Sequence, residues 1–278
     1  MSNINLFNSL GCYNSRSFHE TLYKCTNELF GLTRDEFNER WKPRNAGTEG
    51  TLRGYTQPTA DALFERWKAT RDWKWLYEHP EYKWDSLGVS TFQTSATTLG
   101  GINLMRKHGV SPKKLFDWGA GPGFSSLLIA KNFPRCDVLV NECNADLRKI
   151  FCWFAENARV KNVRLVDEIE PECDAIQAYE ITEHIEHSVK KKVGDPVTVL
   201  SSLLDKLTPT AYMLHSSCWS AENRYMTLGH FLVSDVDGKI TKNTRVGMHF
   251  RAAMKRRGWE IIAAGFNSRP HLYKRSCQ

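Results

Sequence analysis

The stretch FDWGAGPG, residues 116–123, places three glycines at alternate positions, with Asp117 two residues before the first of them. The apolar run KLFDW leads into the loop, and FSSLLIAKNF, which follows it, has the pattern of a buried helix. Glycine tolerates the backbone of a tight turn and lets a ligand approach the main chain closely. The stretch therefore predicts a ligand-binding loop between a strand and a helix.

Two common nucleotide-binding loops do not fit these residues. A Walker loop requires Lys directly after its last glycine, where this chain has Phe124 followed by Ser125. A dinucleotide-binding loop requires a small residue at the position of Phe124, because the helix packs closely on the sheet there. The first loop type is excluded and the second is disfavoured.

The chain after Ser111 alternates short apolar segments with helical segments of about ten residues. The expected strands are KLFDWGA, CDVLVNE, VRLVDEI, CDAIQAYEI, AYMLHSS and WEIIAAGF. Strands that alternate with helices form a parallel sheet through right-handed crossovers. The sequence therefore predicts an α/β fold whose parallel sheet is covered by helices on both faces.

The first part of the chain, residues 1–108, is expected to be a helical N-terminal region, and residues 109–278 the α/β domain. Ser17–Glu20 and Thr33–Glu36 fit the capping box that begins many helices. A glycine-bearing loop is expected at residues 42–58, and a helix from the 90s to Lys107. Because ligands of open α/β sheets lie at the carboxyl ends of the strands, the N-terminal region is expected to act as a lid and in substrate recognition.

The composition excludes several classes of protein. Hydrophobic residues make up 41% of the chain and charged residues 25%, which argues against disordered and fibrous classes. No apolar run reaches the roughly 18 residues that cross a bilayer, and the first residues lack the pattern of an export signal. The eight cysteines form no C-x-x-C pair, which argues against a zinc knuckle or an iron–sulfur site. A cytoplasmic protein that makes no membrane contact is expected.

The net charge of +7 is unevenly distributed. From Lys206 onward there are 12 Lys and Arg residues against 4 Asp and Glu residues, and the basic residues include the run Lys255–Arg257. Such a surface can attract a phosphate-bearing partner, or it can be the solvated face of a helix. Both interpretations stay open.

Several motifs in combination resemble the class I S-adenosylmethionine-dependent methyltransferases. The spacing D-x-G-x-G-x-G, from Asp117 to Gly123, matches the family's first motif, and Glu142 ends the second expected strand. Asp167 follows the third strand, and DAIQAYEITEHI, residues 174–185, matches the family's D-x-V-x-x-x-E-V-L-E-H-V segment. The resemblance covers roughly residues 110–270. It implies a Rossmann-like class I methyltransferase sheet and S-adenosyl-L-methionine as cofactor.

The resemblance also implies roles for individual residues. In the family, the first acid serves the methionine ammonium, the second accepts the ribose hydroxyls and the third reads the adenine amine. The cofactor-binding residues implied in this chain are Asp117, Gly119, Gly121, Gly123, Glu142, Asp167 and Glu180.

The segment after the fourth expected strand carries a further cluster. Glu180, Glu183 and His184 share one face if a helical turn begins there, and such an oxygen-rich set suits Mg²⁺ or Mn²⁺. Their E-x-x-E-H spacing resembles two branches, the ubiquinone-pathway O-methyltransferases and the small-RNA 3′-terminal 2′-O-methyltransferases. In the second branch the cluster and a downstream histidine hold the metal. Here that histidine is His230, with His249 as the alternative fourth ligand.

A second interpretation of this cluster stays open, because in many relatives the same positions only orient the cofactor loop. The expected function is methyl transfer to a hydroxyl of a small molecule, with Glu183 and His184 as the catalytic residues. Either a metal acidifies the hydroxyl or His184 takes its proton. The alternatives are an RNA 2′-O-methyltransferase and a catalytically inactive binding protein with this fold. No pattern indicates an oligomeric state.

Overall fold

A computed structural model describes residues 16–40, 79–89, 95–179, 181, 196–216, 235–236, 239–240, 251–265 and 270–276, together with residues 62, 66 and 69. The loop expected at 42–58 lies outside these residues. So do five of the predicted site residues, namely Glu180, Glu183, His184, His230 and His249.

The described part of the N-terminal region is helical, as the sequence predicts. Its helices are α1 (Arg16–Phe30), α2 (Arg34–Arg40), α3 (Tyr82–Val89) and α4 (Ser95–Lys107). The capping box at Thr33 is confirmed, because the Thr33 amide donates to Glu36 at 2.8 Å and the Glu36 amide donates to the Thr33 hydroxyl at 3.3 Å. The box at Ser17 is wrong, since α1 already includes Arg16 and Ser17 therefore lies inside the helix.

The remaining elements alternate as expected. They are β1 (Lys114–Trp118), α5 (Phe124–Asn132), β2 (Asp137–Asn141), α6 (Ala145–Ala158), β3 (Val163–Leu165), β4 (Ala175–Tyr179), α7 (Pro196–Leu204), β5 (Tyr212–Ser216), β6 (Asp235–Val236), β7 (Lys239–Ile240), β8 (Trp259–Ala264) and β9 (His271–Arg275). Residues 251–256 form a further helical segment. β6 and β7 pair only with each other, in a small two-stranded sheet.

The main sheet has seven strands in the order β3-β2-β1-β4-β5-β9-β8. β1 to β5 pair in parallel, as predicted. The prediction of a wholly parallel sheet is wrong at β9, which runs antiparallel to both β5 and β8 and was not expected from the sequence. Only residues 265–270 connect β8 to β9. A parallel crossover needs a dozen or more residues, so the chain turns back on itself instead.

Helices cover both faces of the sheet. One face packs α4, α5 and α6 against residues such as Leu115, Val138 and Ala175. The other face packs α7 and the 251–256 segment against Phe116, Leu139 and similar residues. Because successive strand residues point to opposite faces, alternate residues of β1 supply the two cores.

The N-terminal helices share the first of these cores. The ring of Phe18 on α1 meets Phe124 on α5 edge to face, with centroids 5.7 Å apart, and Phe124 meets Phe154 on α6 at 4.9 Å. Trp153 Nε1 also donates to Glu28 at 2.6 Å. The described N-terminal helices are therefore packed into the α/β domain. Among the described residues, no helix is long and apolar enough to span a membrane.

Candidate active site

The glycine loop lies at the carboxyl end of β1, between that strand and α5. Gly119, Gly121 and Gly123 all have positive φ, at 65°, 59° and 73°. The Ala120 amide donates to the carbonyl of Asn141 at the end of β2, and the Gly123 amide donates to the carbonyl of Ala120. The first bond holds the loop against β2, and the second closes a turn within the loop. The left-handed backbone at these three positions favours glycine.

Two of these glycines are required by the packing of the protein itself. A Cβ added to Gly123 would lie 2.3 Å from Cδ2 of Phe151, and one added to Gly119 would lie 2.0 Å from Cδ1 of Ile181. Sequence reasoning attributed the glycines to clearance for a ligand. The structure adds that Gly119 and Gly123 also make room for side chains of α6 and of the segment after β4.

The side chain of Asp117 connects the end of β1 to the first turn of α5 through hydrogen bonds. Its side chain is 2% exposed, and its Oδ2 accepts hydrogen bonds from the hydroxyls of Ser125 at 3.0 Å and Ser126 at 2.5 Å. Burial raises the pKa of Asp117 to about 6, although hydrogen bonding from Ser126, Gln177 and Ser125 acts in the opposite direction. The carboxylate thus positions the loop, and its implied contact with the methionine ammonium stays a prediction.

Two further polar side chains from β4 lie buried beside Asp117. Gln177 is its Cα partner on the neighbouring strand, and Tyr179 follows two residues later on the same face. The Gln177 amide lies close enough to Asp117 to lower its pKa, but by distance and angle neither that amide nor the Tyr179 hydroxyl forms a hydrogen bond with the described residues. Burial and nearby Asp117 raise the pKa of Tyr179 well above its usual value. A polar cluster therefore lies directly beneath the glycine loop.

Glu142, directly after β2, points its carboxylate at the glycine loop. It is 6% exposed, and its Oε2 accepts from the Gly121 amide and its Oε1 from the Asn144 amide, each at 2.8 Å. Burial raises the pKa of Glu142, and these backbone hydrogen bonds counteract the rise. The thiol and the amide of the next residue, Cys143, also hydrogen-bond to this carboxylate and act against the rise in its pKa. The Glu142 carboxylate is therefore held both by the glycine loop and by the residues that follow β2.

The start of α6 completes this side of the site. Asn144 is its N-cap and accepts from the amides of Asp146 and Leu147, both at 3.0 Å. Arg148, on the same helix, donates to Asp167 Oδ1 at 2.8 Å and to the Glu142 carbonyl at 3.3 Å. Glu142 and Asp167, the acids implied to bind ribose and adenine, are thus brought together at the ends of β2 and β3.

The segment after β4 reaches the same place. Ile181, which follows Glu180 in the chain, lies against Gly119. Ile181 is the one residue of the E-x-x-E-H segment that the structure describes. No group of three or more His, Cys, Asp or Glu side chains that could hold a metal occurs among the residues that the structure describes. All the predicted metal ligands lie outside them, so the metal site stays a prediction.

The basic run Lys255–Arg257 lies at the other end of the sheet. These residues are exposed, and β8 begins just after them, with Trp259 paired to Arg275. The Arg275 amide donates to the carbonyl of Ala211, directly before β5. The run therefore lies at the amino ends of the parallel strands. Lys255 and Arg256 lie in the last turn of the 251–256 helical segment, where basic residues interact favourably with the helix dipole.

Sequence reasoning missed several residues of this site. Ser125 and Ser126 follow the last glycine directly, so their position on the first turn of a helix was a usable signal. Gln177 and Arg148 gave no such signal, because their partners Asp117 and Asp167 are distant in sequence.

Comparisons with known proteins agree with this architecture. No protein-family model matches the chain, and no curated protein matches it. Among solved structures, it resembles an O-methyltransferase family protein from Burkholderia thailandensis at 8% identity and a TM-score of 0.53, over 83% of this chain and 77% of that one. It also resembles mitomycin 7-O-methyltransferase at 13% identity and a TM-score of 0.52, over 77% of this chain and 66% of that one.

A third similar structure is an S-adenosyl-L-methionine-dependent methyltransferase from Methanococcus maripaludis. The identity is 13% and the TM-score 0.50, over 73% of this chain and 94% of that one. At such identities the likeness establishes the fold. The sheet has the Rossmann-like fold of S-adenosyl-L-methionine-dependent methyltransferases, and the predicted fold class is confirmed.

Proposed function

We propose that this protein binds S-adenosyl-L-methionine at the carboxyl ends of β1, β2 and β3 and transfers its methyl group to a hydroxyl of a small molecule. The observation that carries the proposal is Glu142, a buried carboxylate held by two backbone amides and turned toward a glycine loop. Buried acids with raised pKa values in a loop-lined site are typical of functional residues.

The donor set supports this cofactor. Glu142 offers two carboxylate oxygens to the vicinal hydroxyls of a ribose. Asp167 offers a carboxylate oxygen to a base amine. Gly123, the N-cap of α5, has no side chain that could cap the first amides of the helix, and these amides suit the methionine carboxylate. When bound, the cofactor supplies an electrophilic methyl group on its sulfonium. The chain itself binds, orients and shields that group.

The assignment of the acceptor rests on the sequence of the segment that follows β4. Glu183 and His184 are two and three residues beyond Ile181, whose side chain lies on the glycine loop. Holding an acceptor oxygen there would give proximity, which accounts for much of the acceleration of a bimolecular step. We propose His184 as the base that takes the hydroxyl proton, or Glu180, Glu183 and His184 as ligands of a Mg²⁺ or Mn²⁺ that acidifies the hydroxyl.

A small acceptor is favoured over RNA by the position of the basic run. Lys255–Arg257 lies at the amino ends of the strands, whereas the glycine loop lies at their carboxyl ends. It therefore does not support the docking of a phosphate backbone beside the loop. The buried carboxylate of Glu142 beside the glycine loop argues against an inactive binding protein, because burying an acid is costly and is typical of functional sites.

The test is methyl transfer from methyl-labelled S-adenosyl-L-methionine to separate pools of small molecules, RNA and protein, each with and without EDTA. We expect label in the small-molecule pool. Label in RNA alone would replace the small acceptor by the RNA alternative, and loss of transfer with EDTA would favour the metal over His184 as the activating group.

A variant pair separates chemistry from binding. Glu183→Ala should abolish transfer while S-adenosyl-L-homocysteine still binds, and Glu156→Ala, an exposed change on α6, should leave both unchanged. Full transfer by Glu183→Ala would remove this residue from the mechanism. Failure of the unaltered protein to bind S-adenosyl-L-homocysteine would overturn the proposal.

A further inference from the structure

Arg148 lies between the two acids that the proposed function assigns to ribose and adenine. Its Nη1 donates to Oδ1 of Asp167 at 2.8 Å and to the carbonyl oxygen of Glu142 at 3.3 Å. The Arg148 guanidinium thus links Glu142, directly after β2, to Asp167, which follows β3, through hydrogen bonds. It does so from α6, whose own start is fixed by the Asn144 cap.

Asp167 is held at two points and keeps one oxygen available. Its backbone carbonyl accepts from Asn141 Nδ2 at 3.0 Å, which fixes the main chain at the end of β3. Arg148 fixes its Oδ1, whereas its Oδ2 makes no hydrogen bond with a described residue. The side chain of Asp167 is 85% exposed and that of Arg148 is 33% exposed. The pair therefore leaves one carboxylate oxygen of Asp167 facing solvent.

Folding stability does not account for this arrangement. An ion pair with so exposed a partner contributes little to the free energy of unfolding, because water screens the charges. A free aspartate on the surface also moves between staggered rotamers. A side chain that is ordered before a ligand binds avoids the entropy cost of being ordered on binding. Holding Asp167 therefore benefits ligand binding more than it benefits folding.

We propose that Arg148 is a positioning residue that makes the cofactor site selective for adenine, by holding Asp167 so that Oδ2 accepts a hydrogen bond from the 6-amino group. This inference rests on the proposed function. A 6-oxo base presents an acceptor where adenine presents a donor, and its nearest donor is the adjacent ring N–H. An aspartate that is free to rotate can follow that N–H, whereas one held by Arg148 cannot.

The experiment compares the binding of S-adenosyl-L-homocysteine and S-inosyl-L-homocysteine by calorimetry. The unaltered protein should prefer the adenine compound by roughly 10-fold or more, the value of a hydrogen bond to a charged group. Arg148→Met should reduce that preference roughly 3- to 10-fold, because binding must then order the Asp167 side chain. The reduction should come mainly from weaker binding of the adenine compound. Arg148→Lys should retain part of the preference, because one charged donor remains.

Arg164→Met is the matched control. Arg164 is also a surface arginine in ion pairs, with Glu170 and Asp137, but these lie at the amino ends of the strands. The control should leave affinity and preference unchanged. Thermal unfolding of each variant checks folding, and Arg148→Lys still tests the inference if Arg148→Met does not fold.

The outcomes separate this inference from the proposed function. No binding of either compound by the unaltered protein overturns both. Equal binding of the two compounds, or an unchanged preference in Arg148→Met and Arg148→Lys, overturns the role of Arg148 alone. An equal loss of affinity for both compounds in Arg148→Met would make the arginine a support of the site as a whole and would equally overturn the selectivity role.

Discussion

Two acidic residues at the carboxyl ends of the sheet, Asp117 and Glu142, have surroundings opposite to those of Glu170 at the amino ends. At the amino ends, Arg164 donates to both carboxylate oxygens of Glu170, at 2.6 and 2.7 Å, and also pairs with Asp137. Hydrogen bonding from Arg164 lowers the pKa of Glu170. At the carboxyl ends, Asp117 and Glu142 are buried, and among the described residues no Lys or Arg forms an ion pair with either. Burial raises the pKa of both.

This difference supports the carboxyl ends of the sheet as the proposed site. Exposed acids matched with cations are inexpensive and common on protein surfaces. Buried acids without a cationic partner are costly, and such groups concentrate at functional sites. The position of the basic run at the amino ends follows the same division. The predictions below change one end of the sheet and use the other as control.

The largest effect is expected from Glu142→Ala. The loss of both ribose hydrogen bonds to a charged acceptor should weaken binding of S-adenosyl-L-homocysteine roughly 100-fold or more. Glu170→Ala removes an acid from the amino ends and should leave the affinity unchanged. Isothermal titration of the two variants measures both values. Equal affinities would mean that Glu142 does not contact the cofactor.

The next effect concerns stability. Gly123 and Gly109 both have positive φ, at 73° and 66°, but only a Cβ at Gly123 meets a ring, that of Phe151. Gly123→Ala should lower the free energy of unfolding by about 2 to 4 kcal/mol, through backbone strain plus the clash. Gly109→Ala, before β1, should lower it by about 1 to 2 kcal/mol through strain alone. Urea unfolding measures the pair, and equal losses would show that Phe151 moves aside freely.

A third effect depends on pH. The pKa of Asp117 is about 6 in the folded protein and about 4 in an unfolded chain, so the folded state binds a proton more tightly. The contribution of Asp117 to stability is therefore fully present below pH 4 and is lost as the pH rises through 6. Between those values, the difference in unfolding free energy between the unaltered protein and Asp117→Asn should fall by on the order of 2 to 3 kcal/mol.

Glu170→Gln is the control for that experiment and should show the opposite sign. Because the pKa of Glu170 is lowered in the folded protein, its contribution is present at neutral pH and is lost as the pH falls. Unfolding curves collected from well below pH 4 to above pH 6 measure both slopes, because the contribution of Glu170 is lost only below the usual pKa of a glutamate, about 4.3. A flat difference for Asp117→Asn would contradict a buried, proton-binding Asp117.

The smallest effect is expected at two buried hydroxyls. The hydroxyls of Tyr179, beside Asp117, and Tyr273, on the opposite face of the sheet, make no hydrogen bond with the described residues. Replacing either tyrosine by Phe removes a desolvated polar atom and should raise stability by about 1 kcal/mol or less. A loss of stability in Tyr179→Phe alone would reveal a bound water or other partner at the carboxyl ends.

The sequence predicted the part of the fold whose signals are local. The structure confirms the strands predicted in KLFDWGA, CDVLVNE and CDAIQAYEI, and the glycines form the predicted turn into α5. β9 was missed because HLYKR, residues 271–275, was not predicted to be a strand, and its antiparallel direction follows from the short connection after β8. The sequence left the position of the basic run open, although Lys255–Arg257 directly precedes the expected strand WEIIAAGF; the structure places the run at the amino end of β8.

For the candidate site, the sequence predicted the positions of the acidic residues but not their partners. The positions of Asp117, Glu142 and Asp167 follow from where their strands end, and the structure places all three at the carboxyl ends of the sheet. Their partners could not be predicted, because the pairs Asp117–Gln177 and Arg148–Asp167 arise from strand register and helix packing. The E-x-x-E-H segment lies outside the described residues, apart from Ile181, and its chemistry stays a prediction.

Amide hydrogen exchange with and without S-adenosyl-L-homocysteine tests the central claim most directly, because it locates the ligand on the sheet. The account predicts slower exchange in residues 116–125, where the Gly121 amide already bonds Glu142, and no change in residues 255–260 at the amino ends. Protection confined to 255–260, or no protection at a saturating ligand concentration, would contradict it.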